Sequence, residues 1–335
     1  MRTIRCAWSK TLRNNRDSSE SSLEPPLSHL PLRERRRGHL AMLSFAALIS
    51  GSFSLGGQAA QYIDPQAINA VRFILAGLIM AVFVHRTAGW KQSHVAAPWR
   101  YLVMGGLLGA YFVLMFYALR ITDSVSTGAV FTLTPLMAAG FGWLFQRQIS
   151  RPAVLLALAV GAAGAVWVIF RGDVAAMLAF DIGLGERIFL VGCACHAAYT
   201  PLVPKFNRGE PLIVFTFWTL VAGSLLVSLF GWHAIVTTDW LALPAIVWIT
   251  IAYVSVFATA VTFFLLQYSA MRLPAGKVMA YGYLVPSFVI FWEGFSGRGW
   301  VSGQVWLGVA ATIAALVMLL RDEGGRPAPA HMTGD

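Results

Sequence analysis

Apolar stretches alternate with short polar segments along nearly the whole of this chain from residue 40 onward. Many of the stretches reach about 20 residues, the length that a helix needs to cross the hydrocarbon core of a bilayer. Because the connections between them are short, consecutive helices are expected to pack antiparallel. The pattern predicts ten spans, near residues 40–60, 66–86, 100–119, 124–146, 152–170, 187–205, 212–231, 243–267, 275–296 and 303–320.

The composition favours a membrane protein over a soluble one. Hydrophobic residues make up 57% of the 335 residues and charged residues only 12%. A soluble domain carries about a quarter charged residues, so most of this chain cannot face water. We predict an all-α polytopic membrane protein that sits in a lipid bilayer.

The net charge of +10 is spread through the short connecting segments rather than gathered in one patch. That distribution argues against a nucleic-acid partner and fits the excess of Lys and Arg in cytoplasmic loops. With a cytoplasmic N-terminus, most basic residues lie inside, and an even number of spans returns the C-terminus to the same side. The basic residues that then lie outside are Arg120, Arg171, Arg187 and Arg298.

Residues 1–38 differ from the rest of the chain in being polar and rich in Arg and Ser, and they include the run RERRR at 33–37. They contain no apolar core of the kind that a secretory signal peptide has. We predict a disordered cytoplasmic tail at 1–38, with a start codon assigned too early as the alternative. Residues 321–335 are predicted to form a second cytoplasmic tail.

The chain contains an internal repeat, which indicates duplication. Three pairs of residues have the same separation in the sequence: Tyr117 and Tyr268, Pro135 and Pro286, and Arg147 and Arg298. Each copy holds five predicted spans, an odd number, so the second copy enters the membrane in the opposite sense. We predict an inverted five-plus-five repeat with copies at 39–170 and 187–320, joined by an external loop at 171–186. Secondary transporters commonly have this architecture, with the substrate site near the midplane.

The two prolines of the repeat each fall inside a predicted span. A proline removes one backbone hydrogen bond from a helix and frees the carbonyl four residues earlier, which for Pro286 is that of Gly282. In a bilayer the freed group must be satisfied by protein or by a cavity. We therefore predict that the helices of Pro135 and Pro286 are broken and line a transport path, with kinked packing helices as the alternative.

Four segments carry a resemblance to a known family: AVRFILAG at 70–77, GLLGAYFVLMFYALRITDSVSTGAVFTLTPLMAA at 106–139, GERIFLVGCACHAAYTPLV at 185–203 and QYSAMRLPAGKVMAYGYLVPSFV at 267–289. The chain resembles the drug/metabolite transporter superfamily over roughly residues 40–320, and specifically EamA-type permeases with two five-helix repeats. It lacks the Gly-Glu pair that such permeases often carry where the proline helix ends. Ser50 stands where a tryptophan often precedes the glycine of the first helix.

The resemblance implies a secondary transporter of small metabolites or drug-like compounds, often an exporter, that works by alternating access in the bacterial cytoplasmic membrane. It implies no cofactor and no catalytic activity. A sugar- or nucleotide-type exchanger and a membrane-embedded enzyme are the alternatives. The sequence contains no GxxxxGK[ST] motif, which would indicate transport driven by ATP, and no HExxH or GxSxG motif, which would indicate a hydrolase. No predicted span combines His with an acid at metal-ligand spacing.

Arg72 and Glu293 are charged residues inside predicted spans. Arg72 lies seven residues beyond Pro65, so roughly 10 Å into its span, where a charge costs on the order of 2–3 kcal/mol. It is predicted to bind an anion or to act as a gate, with a structural role as the alternative. Glu293 is the carboxylate within a predicted span and is the candidate for proton coupling. An ion pair between the two that closes the outer gate is our hypothesis.

His196 and three tyrosines are further candidates for the cavity wall. His196 and Tyr199 are three residues apart and share a helix face, and a histidine titrates near physiological pH. Tyr111 and Tyr281 lie within spans, where they are predicted to contact an amphipathic or aromatic solute. Core packing is the alternative for all four. A small-molecule substrate, proton coupling and a homodimer are all compatible with these assignments.

Overall fold

The computed structural model describes residues 32–147, 152–179 and 182–321, and every regular element within those ranges is a helix. The predicted all-α class is therefore confirmed. The first half contains α1 (Leu32–Ala59), α2 (Pro65–Thr87), a 3-10 turn (Gln92–Val95), α3 (Trp99–Leu119), α4 (Ser124–Phe131), α5 (Thr134–Gln146) and α6 (Pro152–Ile169).

The second half begins with a short helix in the predicted external loop and continues with longer ones. Its elements are α7 (Val174–Ala179), α8 (Leu184–Phe206), α9 (Leu212–Phe230), α10 (Trp232–Thr237), α11 (Ala245–Ser255), a π-helical turn (Val256–Val261), α12 (Thr262–Ala270), α13 (Ala275–Ala280), a 3-10 turn (Tyr281–Leu284), α14 (Val285–Phe295) and α15 (Val305–Arg321). The π-helical turn lies inside one continuous helical segment, and the second 3-10 turn inside another.

Eight helical segments of the described chain are long and apolar enough to cross a membrane. One shorter apolar helix, at Val305–Leu320, follows them. The remaining predicted span corresponds to α8, a helix of 23 residues with Glu186, Arg187 and Lys205 near its ends. The count of ten spans therefore stays a prediction. The eight segments are Arg36–Ala59, Pro65–Thr87, Trp99–Leu119, Ser124–Gln146, Pro152–Ile169, Leu212–Phe230, Ala245–Ala270 and Ala275–Phe295.

The start of α1 corrects one predicted boundary. The helix begins at Leu32, so residues 32–38, which we predicted as part of a disordered tail, are helical. Their charges explain the extension, because Glu34 pairs with Arg37 at 2.7 Å, one turn away, and with Arg272 at 3.1 Å. The rest of the predicted N-terminal tail and the C-terminal tail beyond Arg321 lie outside the described residues.

Both predicted proline breaks are present. The helix around Pro135 is interrupted between α4 and α5, and the one around Pro286 passes through a 3-10 turn before α14. In each case the proline occupies the first turn of the following helix, where its missing N–H costs least. The carbonyl of Gly282, which Pro286 cannot bond, accepts instead from the N–H of Val285.

The helices pack as two related halves. Equivalent helices of the two repeats contact each other, since α2 packs on α9 and α6 on α15. The two breaks also meet, because a Cβ added to Gly282 would lie 3.2 Å from the Phe131 ring. Phe131 and Gly282 have the same sequence separation as Pro135 and Pro286. Equivalent positions that touch lie on the axis relating the repeats, so the breaks meet at the centre of the bundle.

Burial separates a central helix from a peripheral one. In the best apolar window of Ala275–Phe295, which contains Pro286, 61% of the residues are buried, against 33% for Pro152–Ile169. The latter helix, α6, packs mainly on α15 through Gly164 and Gly308. The helix of Pro286 therefore lies inside the bundle, and α6 lies at its edge.

Hydrogen bonds between helix ends define two ends of the bundle. At one, which we call the Glu293 end, Ser54 of α1 donates to Glu293 at the end of α14. At the other, the Arg100 end, Arg100 at the start of α3 bonds Glu210 in the α8–α9 connection. Other acidic residues at the Glu293 end are Asp64, Asp123 and Glu186, and a second one at the Arg100 end is Glu34.

A pair of glycines on α3 lies where α3 and α9 cross and approach each other closely. Gly105 and Gly109 are spaced as a small-residue face, and such faces let membrane helices approach closely. A Cβ on Gly105 would clash with the backbone N of Gly223 and lie 2.7 Å from the carbonyl oxygen of Thr219. Because these are backbone atoms, they cannot turn away as a side chain can. Gly105 is therefore required for the close approach of α3 and α9.

Gly105→Ala is therefore expected to destabilise the protein by about 1–3 kcal/mol, because the methyl group must push α3 from α9. Thermal unfolding of the purified protein in detergent measures the effect. Gly140→Ala is the matched control, since a Cβ there has nothing within 4 Å and alanine favours a helix. Equal loss of stability in the two variants would show that the α3–α9 crossing is not tightly packed.

Candidate functional site

A cluster of aromatic rings occupies the centre of the bundle, where the two breaks meet. The rings of Tyr111 and His196 stack at 4.5 Å between centroids, and the Phe131 ring lies 5.4 Å from His196. Phe189 lies 5.7 Å from Tyr111 and Phe45 lies 6.3 Å from His196. We call these five residues the central ring cluster. Phe45 and His196 have the same sequence separation as the two prolines, so this contact also lies near the axis of the repeat.

Arg72 lies next to the central ring cluster and is completely buried. Its Nε donates to the hydroxyl of Thr259, and its Nη2 donates to the carbonyl oxygen of Ala258 at 2.6 Å. The guanidinium carbon lies 3.5 Å from the centroid of the Phe112 ring, which is itself 4.5 Å from the ring of Tyr111. Arg72 is thus attached to the second repeat and faces the rings of the first.

The π-helical turn at Val256–Val261 provides both partners of Arg72. A π-helical turn inserts one extra residue into a helix and occurs frequently at functional sites. Ala258 and Thr259 belong to this turn, which lies near the middle of the segment Ala245–Ala270. Sequence reasoning missed it, because no composition rule distinguishes VFATAV from ordinary helix.

Several buried polar atoms around the cluster have no hydrogen-bond partner within the described part of the chain. They are Arg72 Nη1, Tyr111 OH and His196 Nδ1, and Thr200 Oγ1 follows one turn after His196 on the same helix. Buried polar atoms are nearly always bonded in native proteins, and an exception calls for an explanation. Three such atoms in neighbouring residues, those of Arg72, Tyr111 and His196, mark this place as a candidate binding site.

Tyr199 belongs to a hydrogen-bond network separate from the central ring cluster. Its hydroxyl accepts from Nε2 of Gln267 at 2.7 Å, and Oε1 of Gln267 accepts from the hydroxyl of Thr216. These bonds join α8, α12 and α9 and leave Tyr199 fully buried. The shared face with His196 was inferred from spacing alone, and the structure instead places Tyr199 in a separate, satisfied network.

Tyr281 lies in the 3-10 turn of the second break. Its hydroxyl is 2.9 Å from Nδ1 of His39 on α1, and the two rings are 5.9 Å apart. Sequence reasoning did not single out His39, since it precedes the first apolar run. The contact fastens the second break to α1.

Glu293 forms hydrogen bonds at the Glu293 end of the bundle. It accepts from the hydroxyl of Ser54 at 2.6 Å and pairs with Arg298 at 3.3 Å. The predicted ion pair with Arg72 is therefore wrong for this conformation, because both side chains are bonded elsewhere. Ser54 belongs to the first repeat and Glu293 to the second, so their bond joins the repeats.

A buried ion pair joins the repeats at the opposite end, and sequence reasoning missed it. The side chains of Arg100 and Glu210 are exposed by only 2% and 5%. Arg100 also donates to the carbonyl oxygen of Phe206 at 2.5 Å, and Tyr101 donates to the carbonyl oxygen of His94 at 2.7 Å. The hydroxyl of Tyr101 also lies 3.1 Å from Glu210.

Glu34 forms a more exposed contact at the Arg100 end. Hydrogen bonds from Arg272 first, and from Arg37 second, lower the pKa of Glu34 below its ordinary value. A carboxyl whose pKa is lower in the folded state stabilises the fold above its unfolded pKa. That contribution is lost as the pH falls through the folded pKa.

No group of three or more His, Cys, Asp or Glu side chains that could hold a metal ion occurs within residues 32–147, 152–179 and 182–321. Cys193 is buried and Cys195 half-buried, both as free thiols.

Comparison with known protein families divides the chain into the same two halves. The sequence model of a family described as "EamA-like transporter family" matches residues 36–170 and again residues 183–321. No curated protein matches. Among solved structures, 28 chains match. One is described as "Crystal structure of protein", with a TM-score of 0.68 and 18% sequence identity over 88% of this chain and 99% of that one. At that identity the likeness shows the fold alone.

Proposed function

We propose that this chain, which belongs to the EamA-like transporter family, is a secondary transporter that exports small metabolites or drug-like compounds by alternating access. The observation that carries the proposal is the meeting of two broken helices on the repeat axis beside buried, unbonded polar atoms. In inverted-repeat transporters the substrate binds near the midplane, where discontinuous helices of the two repeats meet.

The proposed topology has ten spans. Five of the eight long apolar segments belong to the first repeat and three to the second, and α8 and α15 raise the second repeat to five spans as well. The distribution of Lys and Arg places the Arg100 end, and with it both termini, in the cytoplasm. We assign the protein to the inner membrane of a bacterium, which makes the Glu293 end the outer one.

The proposed roles of the site residues follow their positions. Arg72, Tyr111 and His196 contact the substrate, since each has an unbonded buried polar atom. Pro135 and Pro286 keep the two breaks open. These five residues form the proposed path, and Tyr199 and Tyr281 hold the helices that surround it.

Bonds between the repeats at each end act as gates in this proposal. Arg100 bonds Glu210 at the cytoplasmic end, and Ser54 bonds Glu293 at the outer end. Alternating access requires one end to open while the other stays closed. Each bond therefore has to break once in every cycle.

A panel of metabolites and drugs, tested on cells with and without the gene, examines the function directly. Lower intracellular accumulation and higher resistance for at least one compound in expressing cells are expected. The same compound should move in proteoliposomes that contain the purified protein, and a variant with Pro135→Ala and Pro286→Ala should move it more slowly. Accumulation identical in both cell types for every compound, with no flux in proteoliposomes, would contradict export.

Proton coupling is assigned to Glu293, and Glu293→Gln is expected to remove the dependence of transport on a pH gradient. Glutamine preserves the size of the side chain and its bond to Ser54 but cannot carry a proton. Proteoliposomes with an imposed pH gradient provide the measurement. Glu186→Gln is the matched control, because Glu186 also accepts from a hydroxyl, that of Thr122, at the same end. Full gradient-driven transport by Glu293→Gln would rule out this role.

A further inference from the structure

We infer that the central site takes a small organic monoanion, a carboxylate attached to a flat apolar body, with the carboxylate on Arg72 and the body on the central ring cluster. The inference rests on the proposed function, because it names the substrate class of the same site.

The first argument is the charge of Arg72. Within the described residues, two arginines are almost fully buried, Arg72 and Arg100. Arg100 has the carboxylate of Glu210, whereas Arg72 has only the neutral oxygens of Thr259 and Ala258. An arginine stays protonated in proteins, and a buried charge without a counter-charge is costly. A buried arginine without a counter-charge in the protein is suited to binding an anionic substrate reversibly.

The second argument is the set of free donors. Arg72 uses Nε and Nη2 for the π-helical turn, and its Nη1 has no partner in the described structure. The hydroxyl of Tyr111, whose ring is next to Phe112 under the guanidinium, is likewise unbonded. Hydrogen bonds from donors to a charged acceptor are about twice as strong as neutral ones. A carboxylate offers two oxygens, which suits two donors of this kind.

The third argument is the surface beside the charge. The central ring cluster presents the stacked rings of Tyr111 and His196 together with Phe45, Phe131 and Phe189. Aromatic faces bind flat apolar groups in offset or edge-on contacts. The part of the substrate that is not the carboxylate is therefore apolar and flat.

The fourth argument limits the net charge of the substrate. The acids near the described helix ends are bonded within the protein: Asp64, Asp123, Asp173, Glu186, Asp239 and Glu293 at one end, and Glu34 and Glu210 at the other. None of them is a partner of the central cluster in the described structure. An ammonium group on the substrate would find no counter-charge there. The site therefore favours a monoanion over a zwitterion or a cation.

Ligand-induced stabilisation of the purified protein in detergent provides the test, since a ligand that binds the folded state raises Tm. The probes are 3-phenylpropionate, indole-3-propionate and hexanoate, each with its primary amide, and phenylalanine as the zwitterion. The expected result is a rise in Tm with an aromatic carboxylate that exceeds the rise with its amide and with phenylalanine. Amides that act as strongly as carboxylates, or no shift with any carboxylate, would overturn the inference.

Variants distinguish a loss of ligand binding caused by the missing charge from one caused by misfolding. Arg72→Gln should lose the response to the carboxylate, Arg72→Lys should keep part of it, and Arg171→Gln, which removes an exposed arginine, should keep all of it. Tyr111→Phe removes only an unbonded hydroxyl, so it should fold like the wild type and weaken carboxylate binding by roughly tenfold. An unchanged affinity in both Arg72→Gln and Tyr111→Phe would contradict the site.

The outcomes also separate this inference from the proposed function. Transport of neutral or cationic compounds but not of carboxylates would leave the transporter in place and remove the substrate class. Carboxylate binding that depends on Arg72, without flux in proteoliposomes, would support the binding site and contradict transport.

Discussion

Replacing Glu210 with glutamine is expected to lower the free energy of unfolding by about 3–5 kcal/mol, since breaking a buried ion pair strands the remaining charge. The side chains of Arg100 and Glu210 are almost completely shielded from water. Their surroundings are arranged around the carboxylate, with the Tyr101 hydroxyl 3.1 Å from it. Glutamine keeps the shape but leaves Arg100 charged in a site that has lost its counter-charge.

Unfolding in detergent, by heat or by denaturant, measures this loss. Glu34→Gln is the matched control, because its pairs with Arg37 and Arg272 are partly exposed to water, and the contribution of an ion pair falls as its exposure rises. A double variant, Arg100→Met with Glu210→Met, should recover most of the stability by removing both charges together. If Glu210→Gln lowered the free energy of unfolding no more than Glu34→Gln does, the Arg100–Glu210 pair would not be a major source of stability.

The same substitution tests the proposed transport cycle. Arg100 belongs to the first matched repeat and Glu210 to the second, so in the proposed alternating-access cycle the pair must break when the Arg100 end opens. A transporter without the pair should spend more time open at that end. Labelling of cysteines placed beside Arg100 should therefore be faster in Glu210→Gln than in the wild type.

Features that depend on local sequence could be predicted, whereas those that depend on distant contacts could not. The effect of a proline on its own helix is local, so the breaks at Pro135 and Pro286 were correctly predicted. Arg72 could be identified as a candidate because a charged residue within an apolar run is evident from the sequence alone. The partners of these residues come from other helices. Glu210 lies 110 positions from Arg100, and no periodicity links them.

Spacing on one helix was also an insufficient guide to what a side chain contacts. His196 and Tyr199 share a face of α8, yet His196 stacks on Tyr111 while Tyr199 bonds Gln267. A helix in the centre of a bundle has neighbours on all sides, so residues three apart meet different helices. The ion pair expected between Arg72 and Glu293 failed for a related reason, because each had closer partners that only the fold shows.

Arg72→Met is expected to reduce transport without a comparable loss of stability. Transport should fall by roughly 100-fold, which corresponds to the loss of a charge-assisted contact worth about 3 kcal/mol. The free energy of unfolding should stay within about 1 kcal/mol of the wild type or rise by about 1–2 kcal/mol, because a buried charge without a counter-charge is removed. Thr259, which loses its partner, can turn its hydroxyl to a carbonyl of its own helix.

The comparison with Glu210→Gln makes this prediction decisive. Both Arg72 and Arg100 are buried, and they differ in that a carboxylate of the protein bonds Arg100. Removing the counter-charge of Arg100 should cost stability, whereas removing the charge of Arg72 should not. Arg72→Lys, measured alongside, keeps the charge without the planar fork and should transport at an intermediate rate. If Arg72→Met lost 3 kcal/mol or more of stability, its guanidinium would be a structural element; if it transported at the wild-type rate, the substrate would not bind there.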